Sequence, residues 1–338
     1  MKMAEKGPVE AGYRRYTVLN MSLFRNSRKT ECGAGKFLVC SAVRAAPFAL
    51  QKTTLVRAGG IVLAIAGLCL LWFQQAGLEA QPPKQPLNVQ KVSDHLWVIM
   101  NASSGNVAVM STEEGVLLVD DKFEQDGVEI LAKVKGVSDK PIKYILNTHQ
   151  HGDHTGGNAF MLKNTPAEIV IHKNARANMV EGKQPGLPQI TFADEAQVFI
   201  GGREVSAHHL GRGHTNGDAV ILFPSERVLH TGDLFVNGSA PFIDYSAKGS
   251  ILDWDKTLDR VLQLDFDIVI PGHGPVAKKA DLAKWRDSIA ELRSRAKMAC
   301  AGGAAGAEKR LSLSGLGMDD SLGFMARSVP GMCAELAN

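Results

Sequence analysis

The segment from Asn147 to Asn158, NTHQHGDHTGGN, places His149, His151, Asp153 and His154 within six positions. Imidazole and carboxylate groups are the ligands that zinc and similar ions prefer. Four of them cannot reach one ion from a regular strand or helix, because side chains two positions apart share a face only while the chain stays extended. We therefore predict a loop that leaves a strand and turns into a helix. In that geometry His149 and His151 would serve one ion, and Asp153 and His154 a second.

Further candidate ligands lie at turns elsewhere in the chain. His214 is part of GRGHTNGD, Asp233 ends LHTGD, and His273 is part of PGHG. Each follows a strand-like apolar run, and ligands at strand ends are held rigidly, as a preorganised site requires. We predict that these three side chains complete the metal site.

The His-x-His-x-Asp-His motif, followed by a distant His, Asp and His in that order, resembles the signature of the metallo-β-lactamase fold superfamily. The resemblance covers roughly residues 89–287. It implies an α/β fold, a four-layer αββα sandwich in which two sheets pack together, helices cover both outer faces, and the metal site lies at one edge.

The resemblance also implies a role for each ligand. One ion would be bound by His149, His151 and His214, the other by Asp153, His154 and His273, with Asp233 bridging both. Asp120 matches a carboxylate that orients ligands without binding metal, although the neighbouring Asp121 is an alternative for that role. An Asp at the Gly-Asp position of residue 233 is more similar to glyoxalase II and the general hydrolase branches than to the β-lactamase branches, which commonly place Cys or Ser there.

The implied chemistry is hydrolysis by a metal-bridging hydroxide, which needs no serine or cysteine nucleophile. Asp153 would be the catalytic carboxylate that orients the hydroxide. Zinc is the default for two divalent ions on nitrogen and oxygen ligands, with iron and manganese as alternatives. The expected substrate is a small molecule with an ester, thioester, lactone or β-lactam bond.

Substrate choice must come from loops over the site. The segment that follows Asp233 carries four candidate cleft residues, namely Phe235, Asn237, Phe242 and Tyr245. The alternative for the aromatic side chains is a position in the core, where aromatic residues often pack.

Two other functions remain as alternatives. A persulfide dioxygenase of the same fold would use one iron, and a non-catalytic metal-binding protein would be expected to have lost ligands. The other five histidines have no motif partner, and we expect structural roles for them: His95, His172, His208, His209 and His230. For His230 a supporting role beside Asp233 is also open.

The length and composition are typical of a single globular catalytic domain that is preceded by an additional N-terminal segment. The formal net charge is +3 over 338 residues, and the apolar content is ordinary. The basic excess lies in the first sixty residues. This pattern gives no reason to expect a nucleic-acid surface, and it leaves the oligomeric state open.

The N-terminal part has the order of an export signal. Lys52 and Arg57 precede the apolar run from Ile61 to Phe73, and a small residue, Ala80, offers a cleavage site. We expect residues 51–80 to be a signal peptide, or an uncleaved membrane anchor, and the protein to be periplasmic or secreted. Residues 1–50 are expected to be disordered, or to precede the true start.

The catalytic domain is expected over residues 87–300, followed by a tail, 301–338, whose fold the sequence leaves open. Predicted helices cover about Gln125–Val134, Ile251–Gln263 and Ala280–Met298. Cys300 and Cys333 form one disulfide or remain two free thiols.

Overall fold

The computed structural model describes residues 85–321 and 323–337. Residues 1–50, expected to be disordered or to precede the true start, and the expected signal peptide or anchor, 51–80, lie outside the described residues. Within the described ranges, no helix combines the length and the apolar character that crossing a membrane would require.

Seven strands form the first sheet. In sheet order they are β1 (Asn88–Lys91), β2 (Leu96–Met100), β3 (Val107–Ser111), β4 (Val116–Val119), β5 (Ile142–Asn147), β6 (Glu168–His172) and β7 (Ile190–Phe192). The strands β1 to β4 are antiparallel neighbours, and β4 to β7 run parallel. Sheet order therefore follows chain order, and each parallel pair is joined by a longer connection.

Six strands form the second sheet, which the later half of the domain contributes. The strands are β8 (Glu195–Ile200), β9 (Arg203–His208), β10 (Val220–Phe223), β11 (Val228–His230), β12 (Ile268–Ile270) and β13 (Ala277–Lys278). Their order in the sheet is β13-β12-β11-β10-β9-β8. Only β11 and β12 are parallel.

Helices fill the connections and the C-terminal region. They are α1 (Gly127–Lys135), α2 (Gly152–Thr155), α3 (Asn158–Asn164), α4 (Lys173–Glu181), α5 (Ile251–Val261), α6 (Lys279–Cys300), α7 (Ala307–Arg310) and α8 (Phe324–Leu336). The three predicted helices correspond to α1, α5 and α6 with shifts of one or two residues at their ends. Ser250 caps α5, because its hydroxyl accepts a hydrogen bond from the Asp253 amide.

Alternation along β4 shows how the layers are built. Leu117 and Val119 face the second sheet and pack with its residues, whereas Val116 and Leu118 face α1 on the outside. All four are fully buried, so this strand has an apolar face on each side. The outer face of the second sheet packs in the same way against α5, α6 and α8. The result is the predicted four-layer αββα sandwich, which is confirmed.

The C-terminal residues, left open by the sequence, are part of this packing. Met325, Val329 and Met332 of α8 belong to the same apolar cluster as Trp254 and Trp285. Cys300 at the end of α6 and Cys333 in α8 form a disulfide, with their Cα atoms 5.2 Å apart. The segment after residue 300 therefore extends the core of the catalytic domain.

Candidate metal centre

The ligand motif lies between a buried strand and a short helix. Strand β5 ends at Asn147, the chain turns through residues 148–151 with His151 in an extended conformation, and α2 begins at Gly152. This is the strand, loop and helix order that the spacing predicts. The other ligands follow strand ends in the second sheet, so that ligands from both sheets meet at one edge of the sandwich.

Three histidines form what we term the first ligand group, which consists of His149, His151 and His214. One nitrogen from each lies within 4.8 Å of the others, and His151 Nδ1 is 2.7 Å from His214 Nε2. The three side chains that the sequence assigns to one ion are therefore close enough to share it.

The second ligand group consists of Asp153, His154 and His273, which meet the same 4.8 Å criterion. His273 Nε2 lies 3.1 Å from Asp153 Oδ2 and 3.3 Å from His154 Nε2. Asp233 stands between the groups. Its Oδ1 is 3.2 Å from His154 Nε2, and its Oδ2 is 3.6 Å from His214 Nε2. One carboxylate oxygen thus faces each group, as a bridging ligand requires.

Hydrogen bonds on the outer ring nitrogens turn the inner nitrogens of the first group toward a common point. His214 Nδ1 donates to the Phe242 carbonyl at 2.7 Å, and His151 Nε2 donates to Asp244 Oδ2 at 2.8 Å. His149 Nδ1 lies 3.0 Å from the Thr148 hydroxyl. Each histidine thereby keeps a lone pair on its inner nitrogen, the form that binds metal.

Asp120 supports both groups from beneath. Its Oδ2 accepts hydrogen bonds from His154 Nδ1 at 2.7 Å and from the Thr148 hydroxyl at 2.8 Å. Thr148 in turn contacts His149. Asp121 has no comparable contact with a ligand side chain, and both of its carboxylate oxygens are buried without a hydrogen-bond partner in the described part of the chain. Of the two alternatives, Asp120 is the residue placed to orient ligands.

Electrostatics differ between the two groups. Burial, reinforced by neighbouring histidines, holds the pKa of His149 well below its usual range and lowers the pKa of His214 to about 4. Both rings are therefore neutral near pH 7. His149 Nε2 is also buried with no hydrogen-bond partner among the described residues. A buried nitrogen lone pair without a donor is costly unless a cation occupies the site.

In the second group, neighbouring carboxylates raise the pKa values of the two histidines. Burial lowers the pKa of His273, but Asp233 and hydrogen bonds to Asp153 and Asp233 outweigh it and raise the pKa to about 9. The pKa of His154 is raised well above its usual value because three carboxylates outweigh its burial. Burial would raise the pKa of Asp153, yet His154 and His273 lower it to about 2. Positive charge is thus stabilised where the second ion would bind, and the residues fit two divalent cations.

The position of the Asp233 carboxylate depends on the close approach of the backbone at Gly272. A Cβ atom on Gly272 would lie 2.0 Å from Asp233 Oδ1, so only glycine fits beside this carboxylate. Gly272 is itself fixed by its amide, which donates to the Gly232 and Phe235 carbonyls. The turn before His273 therefore packs directly against the turn that carries Asp233.

A cavity of about 1140 Å³ opens over both ligand groups. Its wall includes His151, Asp153, His214, Asp233 and His273. A cavity of this size would accept a small-molecule substrate. Five of the seven candidate metal ligands thus lie at the surface of the cavity, where they could act on a bound molecule.

The predicted cleft residues separate in the structure. Phe242 lines the cavity, next to His151 and His214. Phe235 is buried and packs on Trp285, while Tyr245 packs against the core and donates from its hydroxyl to Glu335. Asn237 donates to the Pro275 carbonyl and does not line the cavity. The structure therefore places Phe235, Asn237 and Tyr245 outside the lining of this cavity, because core packing and hydrogen bonds hold their side chains elsewhere.

Several site residues escaped the sequence analysis. Asp244 orients His151, and Arg327 and Phe324 of α8 line the cavity. Lys122 is fully buried, and its ammonium donates to the Gly105 carbonyl, which fixes the loop at the cavity edge. Only Asp244 had a sequence signal, since it lies in the segment after Asp233. Lys122 directly follows the motif of Asp120 and Asp121 without belonging to it, and Phe324 and Arg327 come from a segment without a motif.

The five remaining histidines lie outside both ligand groups. His230 Nε2 donates to the Asn106 carbonyl at 3.1 Å, and its Nδ1 accepts from the Gly232 amide. It thus supports the turn that carries Asp233 through backbone contacts alone. The rings of His172 and His209 stack with centroids 4.0 Å apart, and burial, followed by the His209 charge, lowers the pKa of His172 to about 4.

Comparison with known proteins agrees with this geometry. The model of the metallo-beta-lactamase superfamily matches residues 100–273 of the chain. This region begins in β2 and ends at His273, so that it contains all seven ligand positions.

Individual relatives have low sequence identity to this chain, but the alignments span most of the relatives' length. A type 2 metallo-beta-lactamase of Elizabethkingia meningoseptica is 24% identical over 238 residues, which cover 65% of this chain and 92% of that protein. Metallo-beta-lactamase IND-1 of Chryseobacterium indologenes is 27% identical over 175 residues, covering 50% and 72%. The solved metallo-beta-lactamase of Pontibacter korlensis aligns with a TM-score of 0.54 and 25% identity, covering 58% of this chain and 95% of that chain.

Proposed function

Because the chain belongs to the metallo-beta-lactamase superfamily, we propose that it is a dinuclear metal-dependent hydrolase that cleaves an ester, thioester, lactone or β-lactam bond of a small molecule. The chain is an enzyme of the metallo-beta-lactamase fold. The observation that carries the finer proposal is the convergence of seven ligand side chains at one site, five of which line the wall of one open cavity. Zinc is the ion that this set of nitrogen and oxygen donors suits best.

Two divalent ions held by these residues would supply a Lewis acid for the substrate carbonyl and a lowered pKa for the attacking water. The chain's own groups would do the rest. Asp153 remains ionised because its pKa is about 2, and it lines the cavity, so it could accept a hydrogen bond from the water and orient it. Asp244 and the Phe242 carbonyl keep His151 and His214 in their metal-binding orientation.

The names of the relatives indicate β-lactam substrates, whose ring contains an amide, whereas the Asp at position 233 indicates a broader class of carbonyl substrates. The proteins of Elizabethkingia and Chryseobacterium are named as β-lactamases, yet their identity to this chain is below 30%. At that distance the substrate can differ while the metal site is retained. We therefore retain ester, thioester, lactone and β-lactam as candidate substrate classes, which activity assays can distinguish.

The test combines metal analysis with turnover. The purified protein should contain two zinc ions per chain and hydrolyse at least one of a chromogenic cephalosporin, a lactone and a thioester. His149→Ala and Asp233→Ala should each abolish turnover while the far-ultraviolet circular dichroism spectrum is retained. His95→Ala, a histidine outside the cavity, is the matched control and should retain full activity. One iron per chain, oxygen uptake and no hydrolysis would instead favour the dioxygenase.

Export remains part of the proposal. A disulfide between Cys300 and Cys333 is typical of an oxidising compartment, and the basic and apolar order of residues 51–80 supports an export signal. Amino-terminal sequencing of the protein from its natural host tests this: a new terminus near Gln81 supports cleavage, and a terminus upstream of Ile61 supports an anchor or no export.

A further inference from the structure

Part of the cavity wall comes from α8, outside the region that the family model covers. Phe324 and Arg327 line the cavity together with the metal ligands. Both lie beyond residue 273, where the match to the family ends. This part of the wall therefore lies outside the region that the family model matches.

Arg327 is an exposed side chain of the cavity wall whose guanidinium has no protein acceptor among the described residues. Its guanidinium carbon lies 4.0 Å from the centroid of the Phe242 ring and 6.0 Å from that of Phe324. Stacking on a ring occupies the face of the guanidinium and leaves the N–H groups at its edge available. Among the described residues, no carboxylate lies within 4.0 Å of this guanidinium and no protein acceptor receives a hydrogen bond from it.

Phe242 connects this arginine to the metal centre. Its ring centroid is 5.9 Å from that of His151 and 5.8 Å from that of His214, and its carbonyl accepts the His214 hydrogen bond. Arg327 therefore lies one aromatic ring away from the first ligand group. A molecule bound at the ligands and extending along Phe242 would reach the guanidinium.

Helix α8 is fixed in place by contacts along its length. The Ser328 hydroxyl accepts from the Ile243 amide at 3.0 Å. Glu335 accepts from the Ile251 amide at 2.9 Å and from the Tyr245 hydroxyl at 3.1 Å, and Cys333 is bonded to α6. Because the helix is held at several points, Arg327 is positioned before any ligand arrives, which lowers the entropic cost of binding.

We propose that Arg327, stacked on Phe242 and Phe324, binds a carboxylate of the substrate, and that α8 thereby selects anionic small molecules with an apolar group next to the charge. The proposal rests on the hydrolase function above and specifies its substrate class. A carboxylate matches the two parallel N–H groups of one guanidinium.

The charge around the cavity favours a single carboxylate over a phosphate. Among the described residues that line the cavity, Arg327 is the only Arg or Lys, whereas Asp153, Asp233 and Asp244 are acidic. A dianionic phosphate would need additional cations at this position. One guanidinium balances one carboxylate.

The experiment compares two esters that differ only in charge. They are 4-nitrophenyl 4-carboxybenzoate and its neutral analogue, 4-nitrophenyl 4-carbamoylbenzoate. Arg327→Gln should lower the ratio of kcat/KM for the carboxylate over the carboxamide about tenfold or more, which corresponds to about 1.4 kcal/mol. The loss should appear in KM, with kcat nearly unchanged, and Arg327→Lys should restore part of it. Lys297→Gln removes the same charge from an exposed position on α6 and should leave the ratio unchanged.

A binding measurement makes the result independent of turnover. Calorimetric titration with terephthalate and with 4-carbamoylbenzoate compares a second carboxylate with a neutral amide. Tighter binding of terephthalate that Arg327→Gln removes, without ester hydrolysis, would support the subsite and count against the proposed function. Hydrolysis with an equal ratio in the wild type and Arg327→Gln would overturn the subsite and leave the function intact. Equal binding of both acids, or an Arg327→Gln variant that changes only thermal stability, would also overturn the subsite. Arg327 would then serve only to pack on the Phe242 and Phe324 rings.

Discussion

Asp120 and His154 form a buried pair in which Asp120 Oδ2 accepts a hydrogen bond from His154 Nδ1 at 2.7 Å. Both side chains are completely excluded from solvent. The same oxygen accepts from the Thr148 hydroxyl, and Asp120 Oδ1 accepts from the Thr148 amide at 2.8 Å. Since Thr148 contacts His149, one carboxylate orients a ligand in each group. Asp120 therefore couples the two metal positions without binding either ion.

Asp120→Asn should weaken metal binding at both positions. An amide can present its NH₂ to His154 in place of an acceptor, so the ring is no longer held with its lone pair on Nε2. Loss of such an orienting partner typically costs about 10–100-fold in metal affinity. Zinc affinity is measured by competition with a chromophoric chelator, and hydrolysis is measured in parallel.

Asp121→Asn is the matched control. Burial, followed by the neighbouring charge of Asp120, raises the pKa of Asp121 well above its usual value, which favours the neutral form of its side chain. An amide of the same shape should then change zinc affinity little. If Asp121→Asn lowered zinc affinity as much as Asp120→Asn, the assignment of the orienting role to Asp120 would be wrong.

Zinc binding near pH 7.5 should release protons. In the metal-free protein the pKa of His273 is about 9, because Asp233 and Asp153 outweigh the effect of burial. His273 is therefore protonated at this pH and must lose its proton to bind metal. The apparent zinc affinity should consequently rise with pH up to about 9. Calorimetric titration in two buffers of different ionisation enthalpy measures the number of protons released, and a value of zero would contradict the prediction.

The same shift fixes the sign of a stability effect in the metal-free protein. A histidine with a raised pKa in the folded state contributes stability that is fully present below its unfolded pKa of about 6.5. That contribution is lost as the pH rises through about 9. After chelation, the unfolding temperature should therefore fall between pH 6.5 and 9.5, and His273→Gln should show a shallower fall. Equal slopes in both proteins would show that His273 does not carry the effect.

The candidate ligands could be predicted from the sequence because their signal is local, and the structure brings their side chains together. His149, His151, Asp153 and His154 lie in one short segment, and the spacing itself limits the backbone to a strand, a turn and a helix. The sandwich was predictable for a related reason, since apolar alternation in strands such as Val116–Val119 marks the two buried faces. The roles of the individual ligands remain predictions that the geometry supports.

The residues of the cavity wall were harder to predict from the sequence, because they come together only through tertiary packing. Phe235 and Phe242 lie in the same irregular segment, which has no periodicity to separate a core residue from a cleft residue. Arg327 and Phe324 come from a helix with no motif, and they reach the site only because α8 packs on α5 and α6. Pairing of Cys300 with Cys333 likewise required the position of that helix.

Gly272→Ala should displace Asp233 and reduce activity. The new Cβ would lie 2.0 Å from Asp233 Oδ1 and 2.6 Å from the Gly232 carbonyl carbon, and the backbone cannot yield there without moving the carboxylate. A misplacement of about 1 Å can cost about 100-fold in rate, and the zinc content should fall with it. Gly302→Ala is the control, since its Cβ would meet Arg310 at an ordinary 3.7 Å. Full zinc content and rate in Gly272→Ala would mean that the two turns can separate.

Cleavage of the Cys300–Cys333 disulfide should loosen α8 and weaken binding of anionic substrates while metal binding is retained. The bond joins α8 to α6 across 33 residues of sequence, and removal of a disulfide typically costs roughly 2–4 kcal/mol of stability. Arg327 lies on this helix, whereas the seven metal ligands lie at or before His273. Cys300→Ser with Cys333→Ser should therefore raise KM for 4-nitrophenyl 4-carboxybenzoate more than for the carboxamide, with the zinc content unchanged. Amide hydrogen exchange measures the loosening of α8 directly.

The hydrogen bonds of Glu335 provide the comparison that separates the disulfide from the other anchors of α8. Glu335→Gln weakens the contacts to Ile251 and Tyr245 at the same end of the helix without breaking the covalent bond. If the disulfide dominates, exchange in α8 should increase more in the double serine variant than in Glu335→Gln. If only Glu335→Gln increases exchange, the hydrogen bonds hold the helix, and Arg327 would keep its place in a reducing compartment. Cys333 and Glu335 lie two residues apart on one helix. A difference in exchange between the variants therefore reflects the kind of contact that holds α8, and not where along the helix that contact lies.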